Sequence, residues 1–128
     1  MMKRLAAILT GAGVIACAVL AAPASDTLLR IGPDGVATVE GRVLENHRGC
    51  THDLACYLRL ERAGEEVRIY YHQGEYPPCL DTRVIRQAEA IAPGARVRAI
   101  GRYRAAGRLH VLDVCTAPGA VLQVLPPA

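Results

Sequence analysis

The sequence predicts a small, mostly β domain with one short helix, held by two disulfides and exported from the cell that makes it. Three observations carry this. Apolar and polar residues alternate with period two over 37–44, 56–62 and 67–72, as in half-buried strands. Five cysteines sit in 128 residues, and four remain once the first lies in a removed leader. The first two dozen residues have the charged, apolar and small-residue zones of a secretory signal.

That leader is residues 1–24. Lys3 and Arg4 form its positive region, 5–22 is apolar apart from Thr10 and two glycines, and Ala22-Pro23-Ala24 supplies small residues before Ser25 and Asp26. Val14-Ile15-Ala16-Cys17 also resembles the bacterial lipobox, so acylation of Cys17 and a membrane-anchored lipoprotein form the alternative to release. The apolar run after Cys17, residues 18–22, favours release into the periplasm or medium. Loss of the leader lowers the basic residues from 15 to 13 against 12 acids. The mature net charge is then about +1 by formal counting. Every remaining cation is an arginine, a planar fork for carboxylate, phosphate or aromatic faces. The global field is too weak to draw nucleic acid from a distance.

Residues 25–35 read as an N-terminal extension and 36–116 as the domain. The first strand, 37–44, puts Val39, Gly41 and Val43 on one face and Glu40, Arg42 and Leu44 on the other. Strands 56–62 and 67–72 form a hairpin across Ala63-Gly64, with Cys56, Leu58, Leu60, Val67, Ile69 and Tyr71 inward and Tyr57, Arg59, Glu61, Arg68, Tyr70 and His72 outward. From Asp81, an N-cap, to Ala92 the period changes: Val84, Ile85, Ala88 and Ile91 fall at helical spacing, and Pro93-Gly94 stops the helix. Strands 96–104 and 109–114 form a second hairpin across 105–107. Residues 117–128 read as a C-terminal tail. No internal repeat or linker marks a second domain.

Cys50, Cys56, Cys79 and Cys115 can pair in three ways, and an oxidising compartment favours full pairing. The short span from Cys50 to Cys56 favours a local bridge, leaving Cys79 with Cys115. The chain has neither Trp nor Phe, so a core built from aliphatic residues and Tyr gains from such staples.

Three strands, a helix and two strands resemble the five-stranded Greek-key barrel of the OB-fold superfamily, and within it the small exported bacterial OB-like proteins of unassigned activity. Val39-Glu40-Gly41-Arg42-Val43, the hairpin 58–71 and the segment 93–101 carry the resemblance, which spans about residues 36 to 116. It implies one short helix between strands 3 and 4, and strands 3 and 5 side by side and parallel, with Cys79 and Cys115 just beyond their ends. It also implies ligand contact at the face of strands 2 and 3 and at the loop held by Cys50 and Cys56.

Candidate chemistry is sparse. His47, Cys50, His52 and Cys56, with Asp53 among them, mix imidazole and thiolate as a Zn²⁺ or copper site does. The spacing matches no standard finger and disulfide formation would consume the thiolates, so no cofactor or metal is expected and His47 and His52 remain the alternative ligands. Ser25 is the only serine, and Thr51 beside His52 is too little for a nucleophile. With no phosphate loop or dinucleotide fingerprint, the expectation is a protein that is not an enzyme. The outward face of the central hairpin remains, with Tyr57, Arg59, Arg68, Tyr70 and His72 as ligand-binding residues for an anionic glycan, peptide or protein of the envelope. The simpler reading of this face is a solvated sheet with a Glu61–Arg68 pair. An envelope metal-binding protein is one alternative function, and a single-stranded nucleic-acid binder the other.

Overall fold

Turn chemistry and alternation fix most of the architecture. The computed structural model describes residues 27–48, 50, 55–72 and 82–127. The expected leader, residues 1–24 with Cys17, and Ser25, Thr51, His52, Asp53, Cys79 and Asp81, lie outside the described residues. The strands are β1 (Leu28–Ile31), β2 (Val36–Arg42), β3 (Glu45–His47), β4 (Cys56–Arg62) and β5 (Glu65–His72), then β6 (Arg96–Ala106), β7 (Leu109–Asp113) and β8 (Val121–Val124), with one helix, α1 (Thr82–Glu89), between β5 and β6. The described residues are mostly β with one helix, as expected.

The strand count differs from the expected five: the described residues hold eight. The extra three are β1, β3 and β8. Residues 25–35 contribute β1, which pairs antiparallel with β2, and residues 117–128 contribute β8, which pairs with β6. The expected first strand, 37–44, is β2 with Val43 and Leu44 after it, and β3 lies beyond its expected end. The eight strands form one sheet of order β1-β2-β6-β7-β5-β4-β3, with β8 beside β6, and the ladder is not closed. Hydrogen bonding nevertheless passes through Val43 and Leu44. Val43 donates to Ala95 O (2.8 Å) and accepts from Gly94 N (2.7 Å), whereas Leu44 N donates to Arg59 O (2.8 Å). One short segment thus leans on β6 at its start and on β4 at its end.

The β4–β5 hairpin has the expected faces. Cys56, Leu58, Leu60, Val67, Ile69 and Tyr71 are all buried, and Tyr57, Arg59, Arg68 and Tyr70 are half-buried on the opposite side. Its two-residue turn places both Ala63 (φ 49°) and Gly64 (φ 83°) in the left-handed region, which the right-handed strand twist favours and which strains the alanine. β5 and β7 run parallel, Tyr70 opposite Asp113. The core adds Val39, Val43, Val97, Ala99 and Leu112, all at most 1% exposed. Each such side chain contributes roughly 1.5–3 kcal/mol on burial. Gly101 answers a steric demand: a Cβ there would stand 2.3 Å from Asp113 O.

The helix is shorter than the expected 81–92. Its last turn closes through Ile91 N to Ala88 O (3.0 Å), and Ala88 and Ile91 are buried. Asn46 on β3 ties this end down. Its amide Nδ2 donates to Ala88 O and Ile91 O, both at 2.9 Å, while its Oδ1 accepts from the Tyr71 hydroxyl at 2.8 Å. Burial, aided by the negative charge of Glu89 and opposed by Arg48, pushes the Tyr71 phenol up to about 12, so it remains a donor at neutral pH.

Cys50 and Cys56 form a disulfide. It closes the loop between β3 and β4, as the short span suggested. Cys115 is disulfide-bonded as well, but Cys79 lies outside the described residues. Of the two expected staples, only the local one is described at both ends.

Two stability outcomes follow from these contacts. Asn46→Ala leaves two helix-end carbonyls and a buried phenol without this partner, and urea unfolding should show a loss of about 2–4 kcal/mol; a loss below about 0.5 kcal/mol would mean that water replaces the amide at no cost. Ala63→Asn suits the left-handed turn position, so the same measurement should show a gain of about 0.5–1 kcal/mol.

Candidate ligand-binding face

Strand register brings the outward side chains into rows. One row runs His47, Tyr57, Tyr70, Asp113, Arg102 across β3, β4, β5, β7 and β6; beside it run Glu45, Arg59, Arg68, Val111 and Arg104. Neighbours in a row are about 5 Å apart, one strand spacing. A shift in register between Cys56 and Tyr57 sets Tyr57 opposite Tyr70 and Cys56 opposite His72. Tyr57, Arg59, Arg68 and Tyr70 therefore gather as expected, and His72 stands beyond the irregularity.

The aromatic row makes direct contacts. His47 stacks on Tyr57 with centroids 4.8 Å apart, Tyr57 meets Tyr70 edge-on at 5.2 Å, and the Arg68 guanidinium lies 4.5 Å from the Tyr57 centroid. Such pairs favour fixed geometry beyond simple area burial. His47, first considered as a metal ligand, is here the end of an aromatic platform. The Cys50–Cys56 disulfide removes both thiolates of the alternative metal set, and His52 lies outside the described residues.

The arginines of the hairpin are less available than the sequence suggested. Arg59 Nε donates to Glu45 Oε1 at 3.1 Å. Arg68 donates to the Tyr70 hydroxyl (3.2 Å) and pairs with Glu66 in its own strand. These contacts, the phenol first and the carboxylate second, raise its pKa further above the ordinary arginine value. The expected Glu61–Arg68 pair is not a cross-strand one, because the register sets Glu61 opposite Glu66 and Arg59 opposite Arg68. Both hairpin guanidiniums are thus held by acids on the same face, so they brace the rings as much as they attract an anion.

A second constellation was missed from the sequence. Tyr103 Oη and His110 Nδ1 are 2.8 Å apart, and His110 Nε2 is 2.7 Å from Glu65 Oε1. Glu65 begins β5, Tyr103 is on β6 and His110 on β7, so the relay joins three strands at the end where both hairpins turn. With a neutral ring and an ionised Glu65, Nε2 carries the proton and Nδ1 accepts from the phenol. The imidazole side chain is 14% exposed. The hydrogen bond from His110 is the main reason the Glu65 carboxyl lies below its ordinary value; partial burial opposes it, and the charges of His110, Arg108 and Arg62 add to it. The signal lay in the hairpin register: Tyr103 pairs with Leu112 and Ala105 with His110, which makes Tyr103 and His110 diagonal neighbours on one face.

No protein-family model matches the chain, and no curated protein does.

The lowered carboxyl fixes the sign of a pH effect. Glu65 stabilises the fold fully above its ordinary value near 4.5, and that contribution fades as pH falls through the lower folded value. In His110→Ala the Glu65 side-chain carboxyl resonance should titrate nearer the ordinary value and acid unfolding should begin at higher pH. An unchanged Glu65 titration would show that His110 does not hold the carboxylate.

Proposed function

We propose that the chain is a non-catalytic binding or adaptor module, exported to the periplasm or medium, that engages an envelope glycan, peptide or protein through the outer face of the β4–β5 hairpin. The stacked row of His47, Tyr57 and Tyr70, braced by Arg68, is the observation that carries this reading. Rings locked by neighbours lose little entropy when a ligand lands on them. Flat rings beside guanidinium planes suit sugars, planar groups and anions.

The proposed scaffold is an OB-like barrel of five principal strands, β2 with β3 counted as one, then β4, β5, β6 and β7, stapled also by Cys79 and Cys115. Its support is the segment 36–47, which pairs with β6 in its first part and with β4 in its last. In such a barrel the β4–β5 face is a customary ligand platform, and the loop held by Cys50 and Cys56 borders it.

Binding of the mature domain to envelope glycans, envelope proteins and single-stranded DNA, measured at physiological salt, tests the assignment. With a ligand found, Tyr57→Ala or Tyr70→Ala should weaken it by roughly 5- to 100-fold, the scale of one lost stacking contact. Equal binding by parent and both variants would reduce the face to a solvated sheet. Binding of DNA alone would put the nucleic-acid reading first.

A further inference from the structure

The outward positions of β6 carry a run of arginines, three of which meet no partner among the described residues. Arg96, Arg98, Arg102 and Arg104 alternate toward the same face, with Ile100 at the position between. Arg96 lies 3.9 Å from Glu40. Arg98, Arg102 and Arg104 are exposed and make no ion pair or hydrogen bond among the described residues. This contrasts with Arg59 and Arg68, whose charges are met by Glu45 and Glu66.

Two of these unmet cations border a concavity. A cleft of about 370 Å³ is lined by Tyr70, Arg102, Tyr103, Arg104, Val111 and Asp113, together with Ala55. It opens where the aromatic and arginine rows meet. Asp113 is the only acid among the described residues of that lining, and its carboxylate is already engaged: Oδ1 accepts from Cys115 N (2.7 Å) and Thr116 N (3.1 Å), and Oδ2 from the Thr116 hydroxyl (2.6 Å). It forms no ion pair within 4.0 Å with either arginine among the described residues. Two guanidinium forks therefore border a cleft in which the carboxylate of Asp113 is turned to other donors.

We infer that this cleft is a subsite for a phosphate monoester carried on a ring, the phosphate held by Arg102 and Arg104 and the ring set against Tyr70. The inference rests on the binding reading above and moves its anionic end from the hairpin to β6. Successive outward residues of a strand are about 6.7 Å apart, so two flexible guanidiniums converge on one group between them. A carboxylate offers one edge to a single fork, whereas a phosphate offers three oxygens and up to two charges and can accept from both. Val111 and Tyr70 give the rest of the cleft an apolar and aromatic wall, which suits the body of a sugar better than a bare ion. The volume is at the small end of ligand sites, the size of one phosphorylated ring and not of a long chain.

Calorimetric titration of the whole mature chain with glucose 6-phosphate, inorganic phosphate and glucose at physiological salt tests the subsite. Glucose 6-phosphate should bind best, inorganic phosphate more weakly and glucose not measurably. Arg102→Gln with Arg104→Gln should weaken the sugar phosphate at least 10-fold, while Arg98→Gln, on the same strand outside the cleft, should leave it unchanged. Tyr70→Leu should weaken the sugar phosphate more than inorganic phosphate. No binding of the sugar phosphate, or equal loss in Arg98→Gln, overturns the subsite, and equal affinity for inorganic phosphate overturns the ring contact. Loss with Tyr57→Ala and Arg59→Ala but not with the β6 pair would sink this subsite and keep the hairpin reading; loss with the β6 pair and with Tyr70→Leu, but not with Arg59→Ala, would put the anionic end on β6 as inferred.

Discussion

The amide of Asn46 is the contact on which the two halves of the fold depend. One side chain on a three-residue strand meets the Ala88 carbonyl in the last turn of α1, the Ile91 carbonyl in the turn that follows, and the phenol of Tyr71 on β5. All of its hydrogen-bonding directions but one are used, and the amide orientation is fixed, because the reverse would set its oxygen against two carbonyls. Carbonyls at a helix end need partners from outside the helix. Here the partner is a strand, so the helix cannot drift without breaking β3. The chain holds neither Phe nor Trp, and Tyr71 is the largest fully buried side chain among the described residues; a satisfied hydroxyl is what allows it there.

The same tether positions the proposed ligand face. β3 offers only three residues to β4, too few to be stable alone. Held from below by Asn46 and joined across the loop by Cys50 and Cys56, it can present His47 to Tyr57 at stacking distance. Alternation explains the rest: Asn46 points to the core side and its neighbours Glu45 and His47 to the outer one, where they meet Arg59 and Tyr57. A half-buried amide on one side and the His47 end of the aromatic platform on the other are two faces of one short strand.

How much of this was legible in the sequence depended on periodicity. Most of the hairpin could be read residue by residue, because the inward positions 56, 58, 60, 67, 69 and 71 are apolar and Ala63-Gly64 marks the turn. The helix was legible from Val84, Ile85, Ala88 and Ile91, though its end was read three residues late, since Ile91 is buried from the turn that follows and not from the helix. β1 and β8 were not legible. Three of the four residues of Leu28–Ile31 are exposed, as are three of Val121–Val124, so neither strand shows an inward series. Glu45-Asn46-His47 has no apolar residue at all. The aromatic cluster followed from alternation, whereas the pairing of its arginines did not: which acid meets Arg59 depends on β3, the strand with no pattern. Glu65, His110 and Tyr103 meet through register, across a parallel pairing that no local motif announces.

The distribution of satisfied and unsatisfied charge separates bracing from recognition. Arg59 and Arg68 sit among rings and carboxylates; their fields are partly cancelled at short range and screened beyond about a Debye length of 8–10 Å. Removing either would disturb the packing of Tyr57 and Tyr70 as well as any ligand. Arg102 and Arg104 support no neighbour among the described residues, so their charge contributes little to folding and brings like charges together on one strand. Like charges on neighbouring same-face positions cost free energy, and exposed strand residues tolerate many polar alternatives. Packing and strand propensity therefore explain Leu58 and Tyr71, and local pairing explains Arg68. Neither explains two unmet guanidiniums beside a cleft whose acid faces elsewhere, and an anion arriving from solution is the partner that their chemistry fits.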